Sequence, residues 1–283
     1  MRTIIRSRRT RMKSFAGKVA VVTGGGGSGI GHALVVELAR AGAHVAFCDI
    51  AKLESTEEEI AALGVPYLAL KVDMSDRTAI DGFIDAVLDR FGQIDLLFNN
   101  AGIALGDRTF DELTAADFDR ITDINYWGVV HTTQKAYPSI RQRPEAAIIN
   151  ISSAQGILAL PYMIPYCTTK FAVRGFTDSL RAEHRLRGIK NVTVHTVHPG
   201  RVATNITVNS DYQTETSMKF HENLQKGISA ADAAKVILKG VQKNKGRIVI
   251  SDGKVHDLLA RILPTANTHI VRLELRRQGV IPR

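Results

Sequence analysis

The chain has 283 residues, 45% hydrophobic and 23% charged, with a formal net charge of +9 at pH 7 and only two cysteines. Such a composition excludes a disordered, collagen-like or disulfide-built chain and suits one large α/β domain or two small ones. The charge sits at the ends: Arg2, Arg6, Arg8, Arg9, Arg11 and Lys13 at one, and Arg272, Arg276, Arg277 and Arg283 against Glu274 at the other. The sequence between them sums to zero, so no nucleic-acid partner is expected of the fold itself.

Residues 1–13 lie outside any periodic pattern and read as a basic, disordered extension, with Met12 as a second natural start. They lack the apolar core and cleavage site of a secretory signal, and no run in the chain approaches the roughly 18 apolar residues of a membrane span. Contact of the basic ends with an anionic membrane surface is the rival reading. Cys48 and Cys167 form no framework and fit a reducing, cytoplasmic setting. His195 and His198, three apart in a strand-like run, should point to opposite faces, so no metal site is expected.

From residue 18 to about 250, short β-branched runs alternate with amphipathic segments. The strands read "KVAVVT", "HVAFCD", "YLALKV", "IDLLFN", "AAIINIS", "VTVHTV" and "RIVIS". Apolar strands separated by helices predict an α/β domain, 14–253, with a doubly wound parallel seven-stranded sheet and helices on both faces. Two segments break the alternation. Residues 205–228 are polar and turn-rich, with Ile206, Val208, Tyr212, Met218 and Phe220 scattered through them, and read as a substrate lid. Residues 254–283 read as a C-terminal helical extension, in which Val255, Leu258, Leu259, Ile262 and Leu263 form one apolar stripe expected to pack over the substrate cleft or at a subunit interface.

The first strand runs into "TGGGGSGIG", where Gly24, Ser28, Gly29, Ile30 and Gly31 open the first helix. Glycines between a strand and a helix let the backbone approach a pyrophosphate, whose charge rests on free helix N–H groups. Asp49 ends the second strand about twenty residues on, placed to accept from both ribose hydroxyls of NAD and to repel the extra phosphate of NADP. Lys52, close by, is expected to run along the following helix. Asp73, with Met74 after the third strand, can reach an adenine; a solvated helix cap is the alternative for its carboxylate.

In "PYCTTK", Tyr166 precedes Lys170 by one helical turn, so the two share a face, and the ammonium together with an oxidised nicotinamide is expected to lower the phenol's pKa. Ser153, at the end of a strand, can hydrogen-bond a substrate oxygen. "TGGGGSGIG", "NNAG" at 99–102, Asn125 in "DINYWG", Ser153 in "NISSAQG", "YCTTK" and "HPGRVATN" from His198 stand in an order and spacing that resemble the short-chain dehydrogenase/reductase family. The resemblance implies a single-domain Rossmann fold and a catalytic set of Asn125, Ser153, Tyr166 and Lys170. Ser153 is preferred to Ser152 because the family's serine lies thirteen residues before its tyrosine. Asn125, expected mid-helix, would hold a water that carries protons from Lys170. The resemblance also places Asn100, Ala101, Gly102, Pro199, Gly200, Val202 and Thr204 on the cofactor, beside Tyr166 and Lys170.

One departure stands out. Four residues, not the family's usual three, separate Gly24 from Gly29, which makes Gly24, Gly29 and Gly31 safer phosphate contacts than the glycines between them. Ile103, Ala104, Gln155, Ile157, Leu158, Leu160, Tyr162 and Met163 are expected to line an apolar substrate side with no cationic clamp. The resulting expectation is an NAD-dependent oxidoreductase, a homodimer or homotetramer, acting on a lipophilic secondary alcohol or ketone. Its rivals are an NADP-dependent carbonyl reductase and a regulatory protein that senses the nucleotide without turnover.

Overall fold

The computed structural model describes residues 12–207, 215–262, 269, 271–273 and 276. The extension before residue 12, Val208 and Tyr212 of the expected lid, and Leu263 lie outside them. Seven strands form one parallel sheet: β1 (Val19–Thr23), β2 (His44–Asp49), β3 (Tyr67–Lys71), β4 (Leu96–Asn99), β5 (Ala146–Ile151), β6 (Val192–Pro199) and β7 (Arg247–Ile250). Their spatial order is β3-β2-β1-β4-β5-β6-β7. The chain therefore reverses direction beside β1, and the crevice between the C-terminal ends of β1 and β4 is the place where such sheets take ligands.

Strict alternation explains why both faces are covered. Ala20 and Val22 of β1 point into one apolar core with Leu34 and Leu38 of α1 (Gly29–Arg40) and Ile237 and Val241 of α8 (Ala230–Gln242). Val19 and Val21 point into the other, against Phe83, Ile84 and Val87 of α3 (Arg77–Phe91) and Ala136 and Ile140 of α5 (Gly128–Gln142). Each fully buried side chain of this size contributes roughly 1.5–3 kcal/mol, which fixes the register of the central strand. Met12 and Phe15 are buried in the first core, so the ordered domain starts a residue or two earlier than the basic run suggested.

Local signals set the helix ends. Asp76 caps α3 by accepting from Thr78 N–H and Ala79 N–H, and Gly92, at φ 70°, closes it. Ser229 accepts from Asp232 N–H at the start of α8. The long α6 (Ile164–Leu186) opens with Pro165 in its first turn, where a missing N–H costs nothing. The remaining helices are α2 (Glu54–Ala61), α4 (Ala115–Thr122), α7 (Glu215–Gln225) and α9 (Gly253–Ile262).

The segment 205–228 is not merely turns, since α7 occupies its second half. In the apolar stripe of α9, Val255 reaches the cleft described below, while Val255, Leu258 and Ile262 are 55%, 56% and 65% exposed in the single chain. The helix's anchor is polar, with Asp257 3.3 Å from Arg247 of β7 and 2.8 Å from Arg261. Among the described residues, no helix is long and apolar enough to cross a membrane.

Candidate active site

A cleft of about 840 Å³ opens along the C-terminal edge of the sheet, from the glycine loop to α6. Gly24, Ser28, Gly29, Ile30 and Gly31 line its first part. Gly24 sits at φ 67°, and a Cβ there would stand 2.8 Å from Ala101 Cα. At Gly31 a Cβ would stand only 1.9 Å from the Gly24 carbonyl oxygen, so the loop folds back on itself where side chains are impossible. The extra residue is absorbed by a three-residue turn: Ser28 N–H donates to Gly26 O over 2.8 Å, around Gly27 at φ 69°. Gly25 and Gly26 are required by the protein's own packing, since a Cβ would meet Phe47 Cβ and the Ala51 carbonyl oxygen, each at 2.8 Å.

α1 begins with no side-chain cap from Ser28 and no acidic residue in its first turn, so its N-terminal N–H groups are free for an anion. The "NNAG" segment clamps the loop. Asn100 Nδ2 donates to the carbonyls of Thr23 and Gly24, each at 3.0 Å, and Thr23 Oγ1 accepts from the N–H groups of Asn100 and Ala101.

At the ribose end, Asp49 Oδ2 accepts from Gly26 N–H at 3.0 Å, and Oδ1 from Ile50 N–H at 2.7 Å. Burial pushes this carboxyl up and the backbone N–H groups oppose it. Lys52 departs from expectation. At φ 61° it lies across the glycine turn, its Cβ and Cδ 3.1 and 3.3 Å from where a Gly27 Cβ would be, and it lines the cleft. Asp73 and Met74 line the cleft as expected, although one Asp73 oxygen is taken by Ser75 N–H at 2.9 Å and Ser75 Oγ at 2.7 Å.

Pro165 and the turn before it bring Tyr166 and Lys170 of α6 to the sheet edge, where both line the cleft with Ser153. The Lys170 Nζ lies 5.6 Å from the centre of the Tyr166 ring and donates to Ile151 O over 3.1 Å. Ser152 is spent on the Lys170 carbonyl at 2.7 Å, whereas the Ser153 hydroxyl faces the phenol, Gln155 and the cleft. The protein's own groups do not by themselves lower the phenol. Burial pushes Tyr166 up to about 12, against a smaller downward pull from the Ser153 hydrogen bond. Burial also brings Lys170 down to about 8. The ammonium sits over the ring rather than at the oxygen, so desolvation wins for both groups.

Asn125 is fully buried and does not line the cleft. It stands in a π-turn (Asp123–Trp127) rather than in a regular helix, and its Oδ1 and Nδ2 hold the backbone of Ile103 at 2.8 and 2.9 Å. It faces Lys170 across Gly102, where an added Cβ would lie 3.1 Å from both side chains.

Pro199, Gly200, Val202 and Thr204 line the cleft, as do Ala101 and Gly102. So do Ile103, Ala104, Gln155, Leu158, Leu160 and Met163 of the expected substrate side, with Ile206 and Phe220 of the lid segment. Ile157 is a core residue instead, and Tyr162 is 40% exposed outside the cleft. Sequence reasoning missed Arg120, Arg201 and Asp252. Arg201 is neutralised by Asp252, which accepts from its Nε at 2.8 Å, so it forms no free clamp. His195 and His198 are structural, held by the carbonyls of Lys245 and Ser153 at 2.7 and 2.8 Å, and no metal-binding cluster occurs among the described residues.

A doubly wound parallel sheet with a glycine loop after β1, a carboxylate at the end of β2 and a Ser–Tyr–Lys group in one cleft defines a nicotinamide-nucleotide oxidoreductase. The comparisons agree with that class. Residues 18–215 match the family model for short chain dehydrogenase. The SadH protein of Mycobacterium tuberculosis is 38% identical over 267 residues, covering 92% of this chain and 96% of that protein. Levodione reductase of Leifsonia aquatica is 31% identical, covering 71% of this chain and 75% of that protein.

Two solved structures bear on the cofactor. A short-chain dehydrogenase/reductase from Burkholderia phymatum, in complex with NAD, superposes with a TM-score of 0.79 at 27% identity, covering 94% of this chain and 97% of that one. One from Burkholderia cenocepacia, in complex with NADP, gives 0.73 at 29% identity, covering 84% and 98%. The chain belongs to the short-chain dehydrogenase/reductase family of NAD(P)-dependent oxidoreductases.

Proposed function

We propose that the protein interconverts a lipophilic secondary alcohol and its ketone with NAD, using Tyr166 as acid and base. The observation that carries this reading is the meeting of Tyr166, Ser153 and Lys170 at the wall of the cleft lined by Leu158, Leu160 and Met163. The bare glycine loop and the free N-terminus of α1 fit a dinucleotide's pyrophosphate, and Asp49 fits its ribose. The nicotinamide supplies a hydride acceptor or donor. In the direction of reduction, Tyr166 gives its proton to the carbonyl oxygen, which Ser153 also holds. In oxidation the phenolate takes the proton back. Lys170 stabilises that phenolate from the ring face, and Asn125 fixes Ile103 at the floor of the cleft.

The apolar wall of Leu158, Leu160 and Met163 beside Tyr166 favours a substrate whose reacting end carries no carboxylate or phosphate, with Arg201 paired to Asp252 and Arg120 the cation that a keto-acid panel probes. A relative named levodione reductase is in keeping with ketone reduction. Residues 205–228, with α7, act as the lid in this reading, and the exposed α9 stripe suits a neighbouring subunit of a homodimer or homotetramer. A second reading, use of NADP, is favoured by Lys52, whose side chain lies beside the ribose carboxylate. Titration with NADH and NADPH, then a panel of apolar ketones and keto acids, tests the proposal. Apolar ketones should be reduced and keto acids refused. Tyr166→Phe should lower turnover by ~10²-fold or more with NADH affinity unchanged. Activity of that variant within a few-fold of wild type would overturn the assigned role.

A further inference from the structure

The Ser153 hydroxyl has one hydrogen and two lone pairs, and three groups contend for them. Gln155 Oε1 accepts the hydrogen, Gln155 N–H donates to Oγ over 3.2 Å, and the Tyr166 phenol is hydrogen-bonded to the same hydroxyl. While its hydrogen is committed to Gln155, Ser153 offers the phenol and any substrate oxygen only a lone pair, whereas its downward pull on Tyr166 requires that hydrogen to turn to the phenol. So committed, it can accept from a neutral phenol, but it cannot stabilise a phenolate or a developing alkoxide, which needs a donor. The backbone cannot relieve this, because His198 Nδ1 fixes the Ser153 carbonyl at 2.8 Å. The freedom lies in the Gln155 amide. Turned by half a rotation, it presents Nε2 to Oγ as a donor, and the serine hydrogen is released toward the cleft.

We propose that Gln155 is a positioning residue for the reaction: the end of its amide that faces Ser153 decides whether the serine hydrogen points away from the reacting oxygens or at them. The inference rests on the roles proposed above for Ser153 and Tyr166 and extends them to a residue that lines the cleft half-buried. The other titratable groups packed around this serine are Lys170, Cys167 and Arg174 from α6 and His198 from β6. Lys170 is turned to Ile151 O, Cys167 to Leu160, and Arg174 to Gly156 O at 3.2 Å. Arg247 and Asp178 stand behind His198. None of these bonds to the Ser153 hydroxyl, so among the described residues Gln155 is the side chain, besides the phenol, that directs its hydrogen.

The test reads the phenol itself. 3-Fluorotyrosine, an intrinsically more acidic phenol, is placed at position 166 of the full chain, and its ionisation is followed by fluorine NMR with saturating NAD. Gln155→Glu replaces an amide that can donate by a carboxylate that only accepts, and should raise the midpoint. A carboxylate also acts by its charge alone, so the same substitution is made in a Ser153→Ala background. The shift should be larger with Ser153 present by about one pH unit, a tenfold change, the size of one hydrogen bond to a charged group. Equal shifts in the two backgrounds, or none, would overturn the proposal.

Cyclohexanone reduction with NADH provides the second readout. Gln155→Glu should lose turnover as its carboxyl ionises, with NADH affinity unchanged, and a pH profile parallel to wild type would count against the proposal. If wild type reduces no apolar ketone, the substrate reading fails, and the fluorine titration still decides the role of Gln155.

Discussion

Gly31→Ala tests the loop geometry most severely. The added Cβ would lie 1.9 Å from Gly24 O, 2.8 Å from Gly24 C and 2.3 Å from Asn100 Nδ2. Carbon–oxygen contacts settle near ~3.3 Å, so the loop must open by more than an ångström, because the nearest atom, Gly24 O, is backbone and cannot rotate away. Opening also breaks the two bonds from Asn100 Nδ2 to Thr23 O and Gly24 O. Overpacking at ~1–3 kcal/mol and two hydrogen bonds at ~1 kcal/mol each give a loss of about 3–5 kcal/mol, a large part of ordinary domain stability. Gly27→Ala is the control. Its φ of 69° costs ~1–2 kcal/mol, but the neighbour it meets is the flexible Lys52 side chain. Urea unfolding with and without NADH measures both variants. Gly31→Ala should unfold early and lose most NADH affinity, while Gly27→Ala is affected far less. A Gly31→Ala protein within about 1 kcal/mol and about threefold of wild type in the two measurements would refute the geometry.

Asp49→Ala should narrow or reverse a preference for NADH over NADPH, and an unaltered ratio in binding titrations would remove Asp49 from the choice. His195 and His198 are held neutral by burial, which brings each down to about 4 from the ordinary 6.5. The unfolded chain therefore takes up these protons first, so stability is full above pH 6.5 and falls by about 3 kcal/mol per histidine on the way to pH 4. His195→Gln should flatten that slope by roughly half in urea titrations at several pH values. Truncation after Gly253 removes Val255 and Val271 from the cleft and Asp257 from Arg247. It should change the substrate Michaelis constant or the oligomer size without affecting liposome binding, whereas lost liposome binding alone would favour the membrane reading of the basic end.

The sheet was legible because its strands are buried on both sides. "VAVVT" can sit in few places other than the centre of a parallel sheet, and the structure puts all five residues in the interior. The glycine loop was legible as a phosphate-binding turn but not in its detail. That Gly25 and Gly26 are needed against Phe47 and Ala51 depends on contacts between segments more than twenty residues apart, which no local pattern carries. The α9 stripe shows the limit from the other side. Three- and four-residue spacing gives one apolar face, but it does not say what that face meets: Val255 reaches the cleft, Leu258 and Ile262 stay exposed, and Asp257 ties the helix to Arg247. Asn125 was expected on a regular helix. A π-turn has no distinct sequence period, so only the structure shows that the amide is spent on Ile103.

The phenol is where spacing and environment disagree, and the disagreement bears on the proposed chemistry. An i,i+4 lysine predicts proximity correctly, and from proximity alone one expects an acidified tyrosine. Whether the ammonium acts at the oxygen or at the ring, and how much water each group loses, is set by β5, the turn at 154–156 and α6 together. Burial here moves both groups toward their neutral forms, Tyr166 up to about 12 and Lys170 down to about 8. A neutral phenol is the competent proton donor for ketone reduction. In the proposed mechanism oxidation of an alcohol needs the phenolate, which burial disfavours, so the Lys170 ammonium, the positive charge of an oxidised nicotinamide and a hydrogen released by Ser153 would together stabilise it. On the proposed mechanism a neutral Tyr166 suits ketone reduction near neutral pH, and the rate of alcohol oxidation, followed by NADH absorbance across a pH series, should rise with pH; a flat profile would contradict it.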